Sequence, residues 1–466
     1  MHGVSTNKKP YIMKNLSRRS FITTTSAAAA GAILLPGLAS CSTKKKSGKV
    51  NIAVIGVGGR GKANWSACKD ENIVALCDVS ESAAAEGFKT FPEAKRYKDF
   101  RIMFDEMAKQ IDAVVIATPD HTHFAAAMTA MQHGKHVCVE KPLAHNIWQL
   151  RTMRKAAKKY KVITQMGNQG HATMGIRYVK EWYEAGVLGN VKEVFAWFNG
   201  PEFKETGYFL KPDNYPPLGE PVPDGLDWDL WLGPVAERPY SHFYTPRFWR
   251  GWYEMGNGEL GDWACHTLDA PFWSLDLGMP VSVEPFHRSP SPDGFVCDRS
   301  ILVFDFEARG NKPAVRLMWH EGGLKPENRP EWGLEELPAS GMIMVGDKVS
   351  LMTGGRPNNP KLLLPDAEWD AFTKNLPPET IPRVQEEAPQ AEWLAAIKGN
   401  GPLPGSNFEY SARLTEMASL GVMAQRFNAR IEYDSENMKV TNHPEYDIYI
   451  KEPVRPGWEY GEELWK

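Results

Sequence analysis

Residues 49–61 read KVNIAVIGVGGRG. The apolar run 49–55 has the length of a strand, and it leads directly into Gly56-Val57-Gly58-Gly59-Arg60-Gly61. This is a GxGxxG lying between a strand and a helix, the context that gives the motif meaning. Glycine there lets the backbone turn tightly and approach a pyrophosphate, whose charge meets free N–H groups at the helix start. A second strand-like run, 73–77, ends in Asp78, roughly 20 residues beyond the glycines. A carboxylate at that place accepts both ribose hydroxyls of a dinucleotide and disfavours a 2′-phosphate, which predicts NAD in preference to NADP. Taken alone, Asp78 also reads as a helix N-cap, because Val79 and Ser80 open the next helical stretch.

Further strand-like runs follow at 111–117 (IDAVVIA), 136–139 (HVCV) and 162–166 (VITQM), separated by helix-like segments such as 124–132 and 148–160. Alternating strands and helices predict a parallel, doubly wound sheet with right-handed crossovers. Ligands then belong beyond the carboxyl ends of the strands. Two clusters fall there: Thr118-Pro119-Asp120-His121-Thr122-His123 and Glu140-Lys141-Pro142. After about Arg177 the alternation stops. The runs 191–198, 299–306 and 314–319 read as strands with no helical crossover between them, which predicts a second, α+β domain with a largely antiparallel open sheet. Eight prolines between Gly200 and Tyr240 make that stretch irregular, and 408–427 has helical periodicity.

The composition is that of a soluble globular chain: 466 residues, 42% hydrophobic and 24% charged. It excludes a disordered chain, a collagen, a small disulfide scaffold and a polytopic membrane protein. Charge is unevenly spread. All eight charged side chains of residues 1–48 are basic, leaving 46 basic and 57 acidic residues for the remainder. Such a body repels a phosphate backbone, which argues against nucleic acid as a partner. The basic segment itself contains SRRSFI at 17–22 and a run of small and apolar residues ending at Cys41, the order of a signal peptide. Thr23, Thr24, Thr25 and Ser26 dilute the apolar part below the roughly 20 residues of a membrane span. Arg18 and Arg19 resemble a twin-arginine export signal, and Leu38-Ala39-Ser40-Cys41 resembles a lipobox whose cysteine is lipidated after cleavage. The remaining cysteines, Cys68, Cys77, Cys138, Cys265 and Cys297, are odd in number and form no CxxC, so they read as buried thiols.

The combination AVIGVGGRG, ATPDHTH and EKPLA resembles the Gfo/Idh/MocA family, named for glucose-fructose oxidoreductase, inositol dehydrogenase and a rhizopine-catabolism protein, and the likeness extends over about 49–430. The resemblance implies that Lys141, the lysine of EKP, lies at the nicotinamide end of the cofactor and contacts the reacting hydroxyl. The segment 258–266, GELGDWACH, contains a DxxxH similar to that of the family's second domain. On a helix, Asp262 and His266 share a face at i and i+4. Neutral histidine takes a hydroxyl proton as hydride leaves carbon, and a neighbouring carboxylate would stabilise the imidazolium. The resemblance implies these roles for His266 as base and Asp262 as its orienting or assisting acid. With no HExxH and no third ligand evident, no metal is expected.

The expected cofactor contacts are Gly56, Gly58, Arg60, Gly61, Asp78, Thr118, Pro119, His123, Glu140 and Lys141. Asn168, His171, His242, Tyr244 and His320 are weaker candidates for substrate contact. Nine aromatics at 228–253 suit stacking on sugar faces, but most read as core beneath a long loop. The expected division is a signal peptide at 1–40, a linker at 41–48, a nucleotide-binding domain at 49–172, a substrate domain at 173–430 and an extension at 431–466. The function expected is an exported, lipid-anchored, homo-oligomeric NAD-dependent oxidoreductase for a sugar, glycoside or polyol hydroxyl, with cofactor loaded before export and retained. Its rivals are an NAD-dependent glycoside hydrolase using transient oxidation and a non-catalytic sugar-binding lipoprotein.

Overall fold

The computed structural model describes residues 48–466; the expected export signal, Cys41 and most of the linker lie outside the described residues. Six strands, β1 (Asn51–Ile55), β2 (Asn72–Cys77), β3 (Lys95–Tyr97), β4 (Ala113–Ile116), β5 (His136–Val139) and β6 (Thr164–Met166), form a sheet of order β3-β2-β1-β4-β5-β6. Every pairing is parallel. Residues of β1 and β4 such as Ile52, Val54, Val114 and Val115 are wholly buried, because helices cover both faces of the sheet. The order reverses between β1 and β4, opening a crevice at the carboxyl ends of those strands.

The first-domain helices are α1 (Arg60–Ala67), α2 (Glu81–Thr90), α3 (Phe100–Met107), α4 (Asp120–Gln132) and α5 (Ile147–Tyr160). The start of α4 is four residues earlier than the periodicity indicates, so Asp120, His121, Thr122 and His123 form its first turn. β3 escaped the sequence reading because it is a three-residue polar edge, Lys-Arg-Tyr.

α6 (Met174–Glu184) leads into a nine-stranded second sheet. Its strands are β7 (Val191–Trp197), β8 (Ser282–Arg288), β9 (Ser300–Phe306), β10 (Val315–Glu321), β11 (Gly341–Gly346), β12 (Leu351–Thr353), β13 (Lys361–Leu362), β14 (Ile431–Asp434) and β15 (Lys439–Val440). The order is β13-β12-β11-β7-β10-β9-β8-β14-β15, antiparallel except where β7 runs parallel to β10. The expectation of no helix between these strands is corrected: α7 (Trp228–Leu232), α8 (Gly258–Thr267) and α9 (Asp269–Leu275) lie between β7 and β8. Together with β8 and β9 they make up the long excursion after which β10 returns parallel to β7.

The remaining helices are α10 (Asp366–Thr373), α11 (Pro389–Ile397), α12 (Phe408–Phe427) and α13 (Asp447–Ile450). α12 is buried almost all round, as a helix enclosed on every side must be, and packs against α5, α8, β8 and β9. Asn407 caps it, accepting the N–H of Glu409 and Tyr410. Gly421 makes its close approach possible, since a Cβ there would lie 2.6 Å from both Leu260 of α8 and Phe304 of β9. Trp393, Leu394 and Ile397 of α11 join Val50, Ile52 and Val54 in one core, so a late segment seals a face of the first sheet. β14 and β15 extend the second sheet past residue 430, and the tail then returns to the first domain. There Trp465 donates to Thr152 and the Glu452 carboxylate lies 2.7 Å from Nδ1 of His145.

Candidate active site

The glycine loop is built so that side chains cannot enter it. Gly56 has φ +81°, and a Cβ there would lie 2.6 Å from the carbonyl oxygen of Ala117; a Cβ on Gly61 would overlap the carbonyl oxygen of Gly56. A Cβ at Gly59 meets nothing within 4 Å, so the outer side of the loop is open, and no acidic residue occupies the first turn of α1. Those features fit a pyrophosphate. Oδ2 of Asp78 accepts the N–H of Val57 at 2.8 Å and Gly58 at 3.2 Å, while Oδ1 accepts that of Ser80 at 2.9 Å. The acid therefore both ties β2 to the glycine loop and organises the turn into α2. Burial pushes its pKa up, against the pull of these N–H groups.

Glu140, at the end of β5, is buried and bound from the first helix: its Oε1 accepts from Arg60 Nε at 2.8 Å and Asn64 Nδ2 at 3.0 Å. Gly167 is needed beside it, because a Cβ there would lie 2.8 Å from the same oxygen. Thr118 and Pro119 line the end of β4, half-buried. The next residue after Glu140 is Lys141, whose Nζ donates to Oδ1 of Asp262 at 2.6 Å and to the Asp262 carbonyl at 2.7 Å. Arg250 Nε donates to the same Oδ1 at 3.1 Å. Lys141 and Arg250 hold the Asp262 carboxyl well below the usual carboxylate range, overcoming its burial.

α8 carries Asp262 and His266 as the spacing predicts. The expected pairing of the two is corrected, however. Asp262 faces the two cations, and Nδ1 of His266 is buried with no hydrogen-bond partner among the described residues. Burial, with the charges of Lys141 and Arg356 adding to it, pushes His266 well below its ordinary pKa, so the ring is neutral. Trp263 packs edge-on against it and stacks on Phe198.

Other expected contacts are also corrected. His123 is 1% exposed and sets its ring nitrogens 2.9 Å from the carbonyl oxygens of Pro142 and Thr118, pinning the two strand-end loops together with no nitrogen left for a cofactor. Asn168 and His171 are buried against Asp269, which accepts Asn168 Nδ2 at 2.8 Å and lies 2.9 Å from His171 Nδ1. Tyr410 completes that knot, its hydroxyl donating to Asp269 at 2.6 Å. His242 is exposed and paired with Glu220, whereas Tyr244 is buried among Trp228 and Trp252. His320, by contrast, is not corrected: it is buried with neither ring nitrogen hydrogen-bonded among the described residues, and its burial pushes it down to about 4. The aromatic segment is thus mainly core. Cys68, Cys77, Cys138, Cys265 and Cys297 are free and buried.

Four residues close to the reacting groups were not singled out from the sequence. Arg250 is hidden in the aromatic run 248–253, FWRGWY; Glu259 is the acid of the first turn of α8, buried against Gly200. Burial and the charge of Asp262 push Glu259 well above the carboxylate range, so it keeps its proton. Arg356 sits in a Gly-Gly-Arg-Pro turn with its guanidinium 5.0 Å from the Trp263 ring, and Tyr208 lies under Arg250 at 4.8 Å. Their signals, a turn and lone aromatic or charged residues, are shared by many surface loops.

Residues 50–168 match the family model described as an oxidoreductase family with NAD-binding Rossmann fold, and 173–302 match its C-terminal alpha/beta domain. The chain belongs to the Gfo/Idh/MocA oxidoreductase family. Its first domain is the family's NAD-binding domain. Among relatives, a glycosyl hydrolase family 109 protein of Solibacter usitatus is 31% identical over 208 residues, 40% of this chain and 47% of that protein. Levoglucosan dehydrogenase of Pseudarthrobacter phenanthrenivorans is 28% identical over 232 residues, 47% of this chain and 50% of that protein. The chain thus spans about half the length of the relatives it matches in sequence. The WlbA dehydrogenase of Bordetella pertussis, solved with NADH and UDP-GlcNAcA, shares the fold with TM-score 0.57 at 17% identity, covering 83% of this chain and 99% of that one.

Proposed function

We propose that this family member is an NAD-dependent oxidoreductase of a sugar, glycoside or polyol hydroxyl that holds its cofactor tightly. The observation that carries the reading is the ammonium of Lys141, fixed by Asp262 at 2.6 Å, beside the buried neutral ring of His266. NAD, when bound, supplies the hydride acceptor or donor. The loop of Gly56, Gly58 and Gly61 with Arg60 receives its phosphates, Asp78 its ribose, and Thr118, Pro119, Glu140 and Lys141 line the way to the nicotinamide. Lys141 polarises the substrate oxygen. His266 takes the hydroxyl proton, and Asp262 is the positioning residue that aims Lys141. Because Lys141 and Arg356 oppose a charge on His266, the ring gives up the proton readily once it has accepted it.

The test is to denature purified protein and assay the supernatant for nucleotide, then to follow NADH absorbance and product mass over a panel of sugars and glycosides. Bound NAD and sugar-dependent NADH are expected; no released nucleotide, with activity requiring added NAD, would remove the tight-binding part. The similarity to a glycosyl hydrolase family 109 protein favours one second reading, cleavage through transient oxidation. Release of the aglycone from an aryl glycoside without net NADH would establish it. Export by a twin-arginine route, lipid attachment at Cys41 and homo-oligomerisation belong to the same proposal on sequence grounds. Incorporation of a labelled fatty acid, lost in Cys41→Ser, tests the anchor.

A further inference from the structure

The reacting groups are surrounded by more positive charge than they consume. Asp262 is shared between Lys141 and Arg250, and the Glu140 carboxylate is taken by Arg60 and Asn64. Burial pushes Glu259, in the first turn of α8, well above the carboxylate range, and the buried Asp120 at the start of α4 is a further acid facing Arg250 and Lys141. Two arginines are then left over. Arg356 lies 5.0 Å over the ring of Trp263, the residue after Asp262, and its guanidinium has no hydrogen bond or ion pair among the described residues. Arg247 lies 5.7 Å over the ring of Tyr208, which is 52% exposed, and its guanidinium likewise has no acidic partner among the described residues.

Arg356 is itself exposed, but the loop that carries it is anchored. Its loop is tied to α8, where Thr267 donates to the carbonyl of Gly355 at 2.7 Å. On its other side Pro357 fits against Gly170, where a Cβ would lie 2.5 Å from the proline ring. The anchored loop therefore presents a solvent-accessible arginine beside Trp263, repelled by Arg60 and drawn toward Asp262 and Glu140. A planar guanidinium fork held this way matches a carboxylate or phosphate.

We propose that the substrate is an acidic sugar, a hexuronate or a sugar phosphate, whose anionic group is bound by Arg356, with Arg247 and Tyr208 at the entrance. The proposal rests on the reading of Lys141, Asp262 and His266 as the reacting site and names the substrate class that site takes. The competing source of an anion is the pyrophosphate of the cofactor, and the two differ in what the loss of Arg356 weakens.

The experiment is calorimetric titration of the NAD-loaded protein with D-glucuronate, its neutral methyl ester, D-glucose 6-phosphate and D-glucose, with NADH formation followed separately. At least one of the two acids is expected to bind ten- to a hundredfold more tightly than its neutral counterpart, about the range of a charge-assisted pair. Whichever acid gains identifies the anion. In Arg356→Gln that preference should vanish with the NAD affinity unchanged within about twofold, and Arg247→Gln should reduce it less. Equal binding of acids and neutral sugars by the unaltered protein overturns the proposal without any variant. An Arg356→Gln protein that loses NAD affinity and keeps its acid preference also overturns it, assigning the arginine to the cofactor. Acid-selective binding with no NADH formed would sink the oxidoreductase reading alone, and NADH formed without acid preference would sink this inference alone.

Discussion

Replacing Lys141 by methionine keeps an unbranched side chain, one atom shorter, and removes its charge and donors. Two effects follow from the geometry. If the ammonium faces the substrate oxygen, its loss removes one preorganised donor from the charge that changes there, which costs about 2.7–4 kcal/mol, or about 10²–10³ in kcat. Its partner is also affected. Lys141 and Asp262 are each 13% exposed, and breaking so buried a pair costs about 3–5 kcal/mol when the remaining ion has no other partner. Asp262 still accepts from Arg250 at 3.1 Å, so the loss for Lys141→Met should be smaller, about 1–2 kcal/mol. Asp262→Asn is the harsher change for stability, because it leaves the half-buried Lys141 and Arg250 as neighbouring cations with only the Asp262 carbonyl and the buried Asp120 to offset them; about 3 kcal/mol, the low end of that range, is expected. Urea unfolding at neutral pH, NAD binding and saturating-substrate turnover measure the three quantities. Lys141→Met should bind NAD within about threefold of the parent while kcat collapses. A kcat within fivefold of the parent, or Lys141→Met destabilising more than Asp262→Asn, would refute the reasoning.

Because His266 is held well below its ordinary pKa, the neutral form persists as pH falls through 6.5, and kcat/KM should not drop there; an acid limb with an apparent pKa near 6.5 would show an ordinary, solvated imidazole. Gly61→Ala puts a methyl group onto the Gly56 carbonyl, so the loop must open, and NAD affinity should fall by at least tenfold in a direct titration. The tail should dock in a pH-dependent way. Against burial, which opposes both shifts, Glu452 raises His145 above its ordinary 6.5, Asp120 assisting and Arg426 opposing, while His145 lowers Glu452 below its ordinary 4.5. The histidine's contribution is complete below 6.5 and is lost as pH rises through its raised value; the glutamate's is complete above 4.5 and is lost as pH falls through its depressed value. Amide exchange in 444–466, corrected for intrinsic rate, should therefore be slowest between those values. Glu452→Gln should abolish the dependence, and an unchanged profile in that variant would contradict it.

The first sheet was legible from residues 49–61 outward because a buried parallel strand is a continuous apolar run and a phosphate turn needs glycine, both local demands. The same holds for α8, whose Asp262–His266 spacing is a property of one helix, and for α12, found at its full length of 408–427. The short strands β3, β12, β13 and β15, two or three residues each, carry too little pattern to be seen. Histidines misled for a different reason. His123, His171 and His242 are chemically able to bind a ligand, but backbone carbonyls, Asp269 and Glu220 occupy them, and apart from the Thr118 carbonyl beside His123 those partners come from other segments of the chain.

The amino-acid order by itself determined the class of the first domain, its preference for a dinucleotide and the choice of Lys141, Asp262 and His266 as the candidate reacting groups. Tertiary structure alone decided who serves whom within it. Lys141 and Asp262 are 121 residues apart in sequence and 2.6 Å apart in space, so the partner of the carboxylate proved to be the lysine and not the histidine on its own helix. It also decided that Glu259 is pushed well above the carboxylate range, that His266 is pushed well below its ordinary pKa and that the Arg356 guanidinium lies over Trp263 with no hydrogen bond or ion pair among the described residues. Charge state follows from burial and from neighbours brought in by folding, and neither is written in local spacing.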